Sequence, residues 1–240
     1  MRKNGSRIIS FGRYRATDLL IFAAILVAFD LISFFAFTEW FADDLSNFFF
    51  SLAVPVSLLV MIRWNWYGMF YAVLDGLVYC LLAVLSAGGA YDGVALQYFL
   101  TYCLGSACIG LAYLMVHFMG YKRIAGHWGF TILYVLCGWL ALEIGRAVVS
   151  ICFGVDVGSA LLSFIAGPSE LLSLAMGIVI LLVMRKLEGM LENQRAYLIR
   201  LDKERQERMK ADTFGENPVE IDEDALRALN KKGDDMFGGK

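Results

Sequence analysis

The chain has 240 residues, of which 59% are apolar and 18% charged, and its mean hydropathy is +0.61. That apolar share exceeds what a soluble globular domain carries. The net charge of −2 averages two unlike regions, because residues 1–184 hold 19 charged side chains whereas the last 56 residues hold 25.

Apolar stretches of about twenty residues recur, the length needed to cross roughly 30 Å of hydrocarbon. They predict membrane-spanning segments near 18–37, 47–62, 66–86, 94–118, 129–153 and 158–184, the second short and interrupted by Pro55. Backbone groups in lipid must be satisfied within the segment, and uniformly apolar runs exclude alternating barrel strands, so these are expected to be helices. The first is too long for a signal sequence, contains Asp30, and is followed by no small-residue cleavage pattern. The fold class expected is therefore an all-α membrane protein with six transmembrane helices.

Lys and Arg set the orientation. They precede the first span, then fall at Arg63, at Lys122 and Arg123, and from Arg185 onward, whereas the connections near 38–46, 87–93 and 154–157 carry only acids. The positive-inside rule then puts both termini in the cytoplasm of a multi-pass protein of the cell membrane. Residues 1–186 form the predicted membrane domain and 187–240 a charged cytoplasmic tail. Leu187, Leu191, Leu198 and Leu201 are spaced for a helix from Arg185 to about Ala211, continuing the sixth span or lying along the bilayer surface. Beyond Asp212 the composition is that of a disordered tail, apart from a short helix at 222–232.

The five cysteines, Cys80, Cys103, Cys108, Cys137 and Cys152, all lie in apolar spans without metal-ligand spacing, and read as small packing residues. No phosphate loop of the form G-x-x-x-x-G-K-[ST] occurs, nor H-E-x-x-H or G-x-S-x-G. The two histidines, His117 and His127, fall where an interfacial or solvated role is expected. No enzyme activity, metal, cofactor or nucleic-acid partner is expected, and active transport would need an ion gradient or a separate ATPase.

Ionisable residues inside spans cost free energy and usually face a cavity or a partner. Five stand out: Asp30, Asp75, Glu143, Arg146 and Glu170. In the fifth span Trp139, Glu143, Arg146 and Ser150 are separated by four, three and four residues, which places them on one helix face. Two readings of that face stand. Glu143 and Arg146 neutralise each other as an i,i+3 packing pair, or the face lines a pocket in which they hold a charged or polar ligand. Glu170 follows Gly167 and Pro168, where a broken helix would bring it to the same cavity or helix packing would take it up. Tyr71, Asp75 and Tyr79 form a stripe in the third span, with Asp75 in an interhelical hydrogen bond, as a carboxylate or carrying a proton. Gln97 and Tyr102 open the fourth span, as an aromatic belt or as groups at the pocket mouth, and Trp40 and Tyr91 in the outer connections could cover a ligand. Ala24 and Ala28 give the first span a small-xxx-small face that permits close approach of another membrane helix.

This order of features resembles the substrate-binding S-components of energy-coupling-factor vitamin transporters. Ala24 to Ala28 looks like the family's AxxxA motif. Val54-Pro55-Val56 with Arg63 and Gly68 resembles its pattern from the second span into the third. The stretch from Gln97 through Tyr102 to Ala112 is similar to the thiamin-type members. The resemblance implies a six-helix body with an outward-facing pocket for a small vitamin-like substrate, bound here by Arg146, Glu143, Trp139, Ser150, Glu170, Tyr102, Gln97 and Trp40. It also implies a membrane coupling subunit, met at Ala24 and Ala28, and two ATPase subunits. Two departures count against simple retention of a cationic thiazolium: Thr101 stands where that group has a carboxylate, and Arg146 lies near its span-five histidine. They leave room for an anionic or zwitterionic relative. The rival expectations are a proton-coupled secondary carrier using Asp30, Asp75 or Glu143, and a membrane scaffold acting through its tail.

Overall fold

The computed structural model describes residues 11–37, 50–86, 94–187 and 189–215; Trp40 and Tyr91, the acidic connections at 38–46 and 87–93 and the segment 222–232 lie outside them. The described residues are mostly helical, with no strand. Four helices are long and apolar enough to cross a bilayer: α1 (Phe11–Phe35), α3 (Tyr67–Ser86), the composite segment Leu96–Met119 and α7 (Trp128–Cys152). A fifth crossing is counted if α8 (Val157–Ile165) and α9 (Pro168–Met184), bent by 42° at their junction, form one broken span. These are the helices of a multi-pass membrane protein.

The second predicted span is a different object. It is α2 (Ala53–Trp64), twelve residues long and buried at every position. At 1.5 Å per residue it reaches only about 18 Å, short of the hydrocarbon thickness. It packs against α1, α3, α7 and α9, and Val54, Leu58, Leu59, Met61 and Ile62 form the centre of the apolar core. Pro55 fits because it sits in the first turn, where no intrahelical N–H bond is required. At the other end Asn65 takes φ 60°, and α3 starts two residues later, so the two helices fold back on one another.

The fourth span is not one regular helix. A short α4 (Val94–Phe99) passes into a π-helical stretch, Leu100–Gly105, and a 3₁₀ stretch, Ser106–Leu111, before α5 (Ala112–Met119). Close backbone approach accompanies this change of winding. A Cβ on Gly105 would meet Arg146 Cα at 2.7 Å, one on Gly145 would meet the Gly105 carbonyl, and one on Gly76 the Tyr102 carbonyl. Three glycines thus let α3, the irregular segment and α7 touch main chain to main chain. A short α6 (Tyr121–Gly126) leads into α7.

The expected continuous helix from Arg185 is not formed. α9 ends at Met184, turns follow, and Gly189 at φ 76° breaks the winding before α10 (Gln194–Gly215). Leu187 and Leu191 therefore belong to turns, with Leu191 packed into the core. The compact unit runs to Gln194, eight residues beyond the predicted boundary. The second unit, from Arg195, contains exposed i,i+4 pairs at Arg200–Glu204 (3.8 Å) and Lys203–Glu207 (4.0 Å). Each contributes a fraction of a kcal/mol, about 0.3–0.5.

Candidate functional site

Arg146 lies on α7 beside the Gly105–Gly145 contact and is 6% exposed. That backbone contact brings the irregular segment against it, so that Ser106 Oγ accepts a hydrogen bond from Arg146 Nε at 2.8 Å and the Tyr102 ring lies 5.2 Å from the guanidinium carbon. Three carboxyl groups from three helices complete the surroundings: Asp75 on α3 at 3.5 Å, Glu143 one turn back on α7 at 3.6 Å and Glu170 on α9 at 3.8 Å. Glu170 reaches this position because Gly167 caps α9 and Pro168 starts it, putting the glutamate in the first turn after the break. An aromatic shell closes the Tyr102 side, with ring centroids at 4.6 Å to Tyr79, 6.1 Å to Tyr98 and 6.3 Å to Phe164.

The arrangement departs from a simple packing pair in two ways. Carboxyl groups outnumber the guanidinium three to one, so an i,i+3 pair describes only part of it. The distances are also long for charge-assisted bonds, which ordinarily close to about 2.7–2.9 Å. Glu143 is fully buried; apart from Arg146 at ion-pair distance and a carboxyl–carboxyl contact with Glu170, its oxygens have no hydrogen-bond partner among the described residues. Trp139 Nε1, one turn away on the same face, has none either. Such groups normally find partners when buried.

Known families, curated proteins and solved structures offer no match to this chain. The chemistry therefore rests on the residues themselves. Of those expected at the site, Arg146, Glu143, Glu170 and Tyr102 come together. Ser150 is buried one turn above Arg146 and pairs with Thr101 at 3.4 Å. Gln97 is half-buried on α4 and is not among the groups that meet Arg146. Ala24 and Ala28 lie exposed on α1, alongside Leu20, Ile21, Ile25 and Ile32. No cluster of three metal-ligating His, Cys, Asp or Glu side chains occurs among the described residues. His117 and His127 are exposed, as are Cys137 and Cys152, whereas Cys80 and Cys103 pack inside.

Asp75, expected in an interhelical hydrogen bond, meets Ser51, which lies in the non-helical stretch just before α2 and whose hydroxyl is also 3.0 Å from Asp30. Nothing in the sequence distinguishes Ser51 and Ser106, because a serine in an apolar run is too common to mark a site. A second polar cluster was missed as well. Arg63, at the end of α2, bonds both oxygens of Asp18 on α1 at 2.8 and 3.0 Å and the Gly189 carbonyl at 3.1 Å, while Trp64 Nε1 donates to Asp18 at 2.6 Å.

Proposed function

We propose that the protein captures a small polar solute at the Arg146 cluster, as the S-component of an energy-coupling-factor importer for a vitamin or related metabolite. One observation carries this reading: the buried face of α7 leaves the Trp139 indole N–H without a partner beside the Glu143 and Glu170 carboxyls and the Arg146 guanidinium. Leaving such a group unpaired costs about 1–3 kcal/mol, a burden that a ligand's own acceptor would relieve. Three carboxyls to one guanidinium favour a solute with a cationic or zwitterionic head over a simple anion, which would have to displace carboxyl groups from Arg146.

The break at Gly167–Pro168 agrees with this use, since discontinuous helices commonly border solute sites in membrane transporters. The Lys and Arg distribution supports six crossings with both termini in the cytoplasm of the cell, α2 forming part of the second. The site then opens toward the outside. The exposed Ala24–Ala28 face of α1 suits close contact with a coupling subunit. ATPase partners would supply the energy, because this chain has no phosphate loop.

A proton-coupled secondary carrier is the second reading, favoured by the Ser51 bridge from Asp30 to the Arg146 cluster. Purification from native membranes, followed by mass spectrometry of the retained small molecules and proteins, separates the two. Capture predicts one polar solute that is lost from Arg146→Ala, together with an ATPase-containing complex. Uptake by the isolated protein in vesicles, abolished by an uncoupler, would instead establish the carrier.

A further inference from the structure

Ser51 stands between two buried aspartates, and its hydrogen bonds can be counted. Its Oγ accepts from Ala53 N–H at 2.9 Å and lies within hydrogen-bonding distance of Asp30 Oδ1, at 3.0 Å, and of Asp75 Oδ1. A hydroxyl has one proton to donate. It can satisfy one of the two carboxyl groups; the other can share the contact only by donating a proton of its own. The triad therefore holds one proton more than a serine with two ionised aspartates would.

The surroundings decide which aspartate holds it. Asp75 faces Arg146 through its second oxygen, at 3.5 Å, and has a cation to balance its charge. Asp30 has none: it is fully buried, and its titratable neighbour is the Asp75 carboxyl, which it meets both directly and through Ser51. The other titratable groups of the cluster, Glu143, Glu170, Tyr102, Cys80 and Cys103, interact with Asp75 or Arg146 and not with Asp30.

We infer that Asp30 is a proton-binding site, linked through Ser51 and Asp75 to Arg146. With Asp30 protonated, its O–H donates to Ser51, whose own O–H donates to Asp75. When that proton leaves to water, Ser51 can serve only one of two carboxylates, and Asp75 is released toward Arg146. Occupancy of the proton site thereby sets how firmly Asp75 holds the guanidinium. An alkali cation suits the triad less well, because backbone N–H groups already occupy lone pairs on Ser51 and on Ser33, which accepts from Phe50 N–H at 3.3 Å. The inference does not depend on solute capture, and its test uses no solute.

Infrared spectra of the full-length protein in phosphatidylcholine vesicles, recorded in H₂O and in D₂O across a pH titration, test it. The wild type should show the C=O stretch of a protonated, hydrogen-bonded carboxyl group at neutral pH. That component should vanish in Asp30→Asn, stay in Asp75→Asn and move in frequency in Ser51→Ala. Asp30→Asn should fold, since the carboxamide donates to Ser51 as the protonated acid does. A wild type without this component would overturn the inference. So would an unchanged spectrum in Asp30→Asn, failure of that variant to fold, or disappearance of the component when sodium replaces choline at constant pH.

Discussion

Two buried arginines divide this molecule between them. Arg63 meets one carboxylate, Asp18, through short paired bonds, and its remaining hydrogen bonds go to a carbonyl and a methionine sulfur. Arg146 meets three carboxyl groups at 3.5–3.8 Å and forms one short bond, to a serine. The first is balanced in charge and saturated in hydrogen bonds, the condition under which a buried pair serves to fix helix packing. The second is neither. Burial alone does not separate the two sites, because both arginines are almost inaccessible; the separation lies in charge count and in bonds left unmade.

The largest effect should come from Arg146→Ala. Removing the cluster's guanidinium would leave the Asp75, Glu143 and Glu170 carboxyls buried together without a cation. Stripping one partner from a buried ion pair costs about 3–5 kcal/mol, and a surplus of carboxyls puts this site at the upper end. Thermal unfolding of the solubilised protein would register it, together with loss of solute binding. A variant of wild-type stability would mean that the cluster is solvated and that the contrast with Arg63 is mistaken.

Arg63→Ala should cost less, about 2–3 kcal/mol, because Asp18 keeps the Trp64 N–H bond and its side chain is 15% exposed. Solute binding should not change. Arg63→Lys should recover only part of the stability, since an ammonium cannot reproduce the paired contact. Equal losses of solute binding at Arg63 and Arg146 would erase the distinction between them.

How far each cluster could be read from the sequence follows from its chemistry. Arg146, Glu143 and Glu170 announce themselves as charges in apolar runs, and Gly167-Pro168 announces the break that places Glu170. Asp18 and Arg63 sit at the edges of apolar segments, where charges are ordinary, so nothing in the sequence joins residues 45 positions apart. The buried role of α2 was legible only as a segment too short and carrying a proline. Its neighbours on every side depend on tertiary packing, which no local pattern encodes. Gly189 defeated the leucine spacing of the tail in the same way: a periodic pattern gives the potential for a helix, and one residue with positive φ ends it.

The glycine contact supports only the Arg146 side of the molecule, and it offers a graded test. Gly145→Ala would drive a methyl group into the Gly105 carbonyl and bring it to 2.7 Å from the Cys108 sulfur. Overpacking of this kind costs about 1–3 kcal/mol. Because the obstacle is main chain, relief requires α7 to move away from the irregular segment, taking Arg146 from Ser106. Solute affinity should therefore fall along with the melting temperature, whereas the Arg63 cluster should keep its protection against amide exchange around Gly189 and Gln194. Loss of that protection would show that the two clusters unfold as one.

The smallest change is the most discriminating. Glu143→Gln keeps the shape of a side chain that is fully buried and removes one carboxyl from a cluster that has three. As a packing partner of Arg146, Glu143 would be missed: the variant would melt lower and bind solute as before. As a ligand group it would leave stability level or slightly raised, because an uncharged carboxamide of the same shape suits a fully buried site. A solute with a cationic head would then bind at least tenfold more weakly, about 1.4 kcal/mol. Stability falls under one role and affinity under the other, and an isothermal titration paired with a melting curve on one variant decides between them.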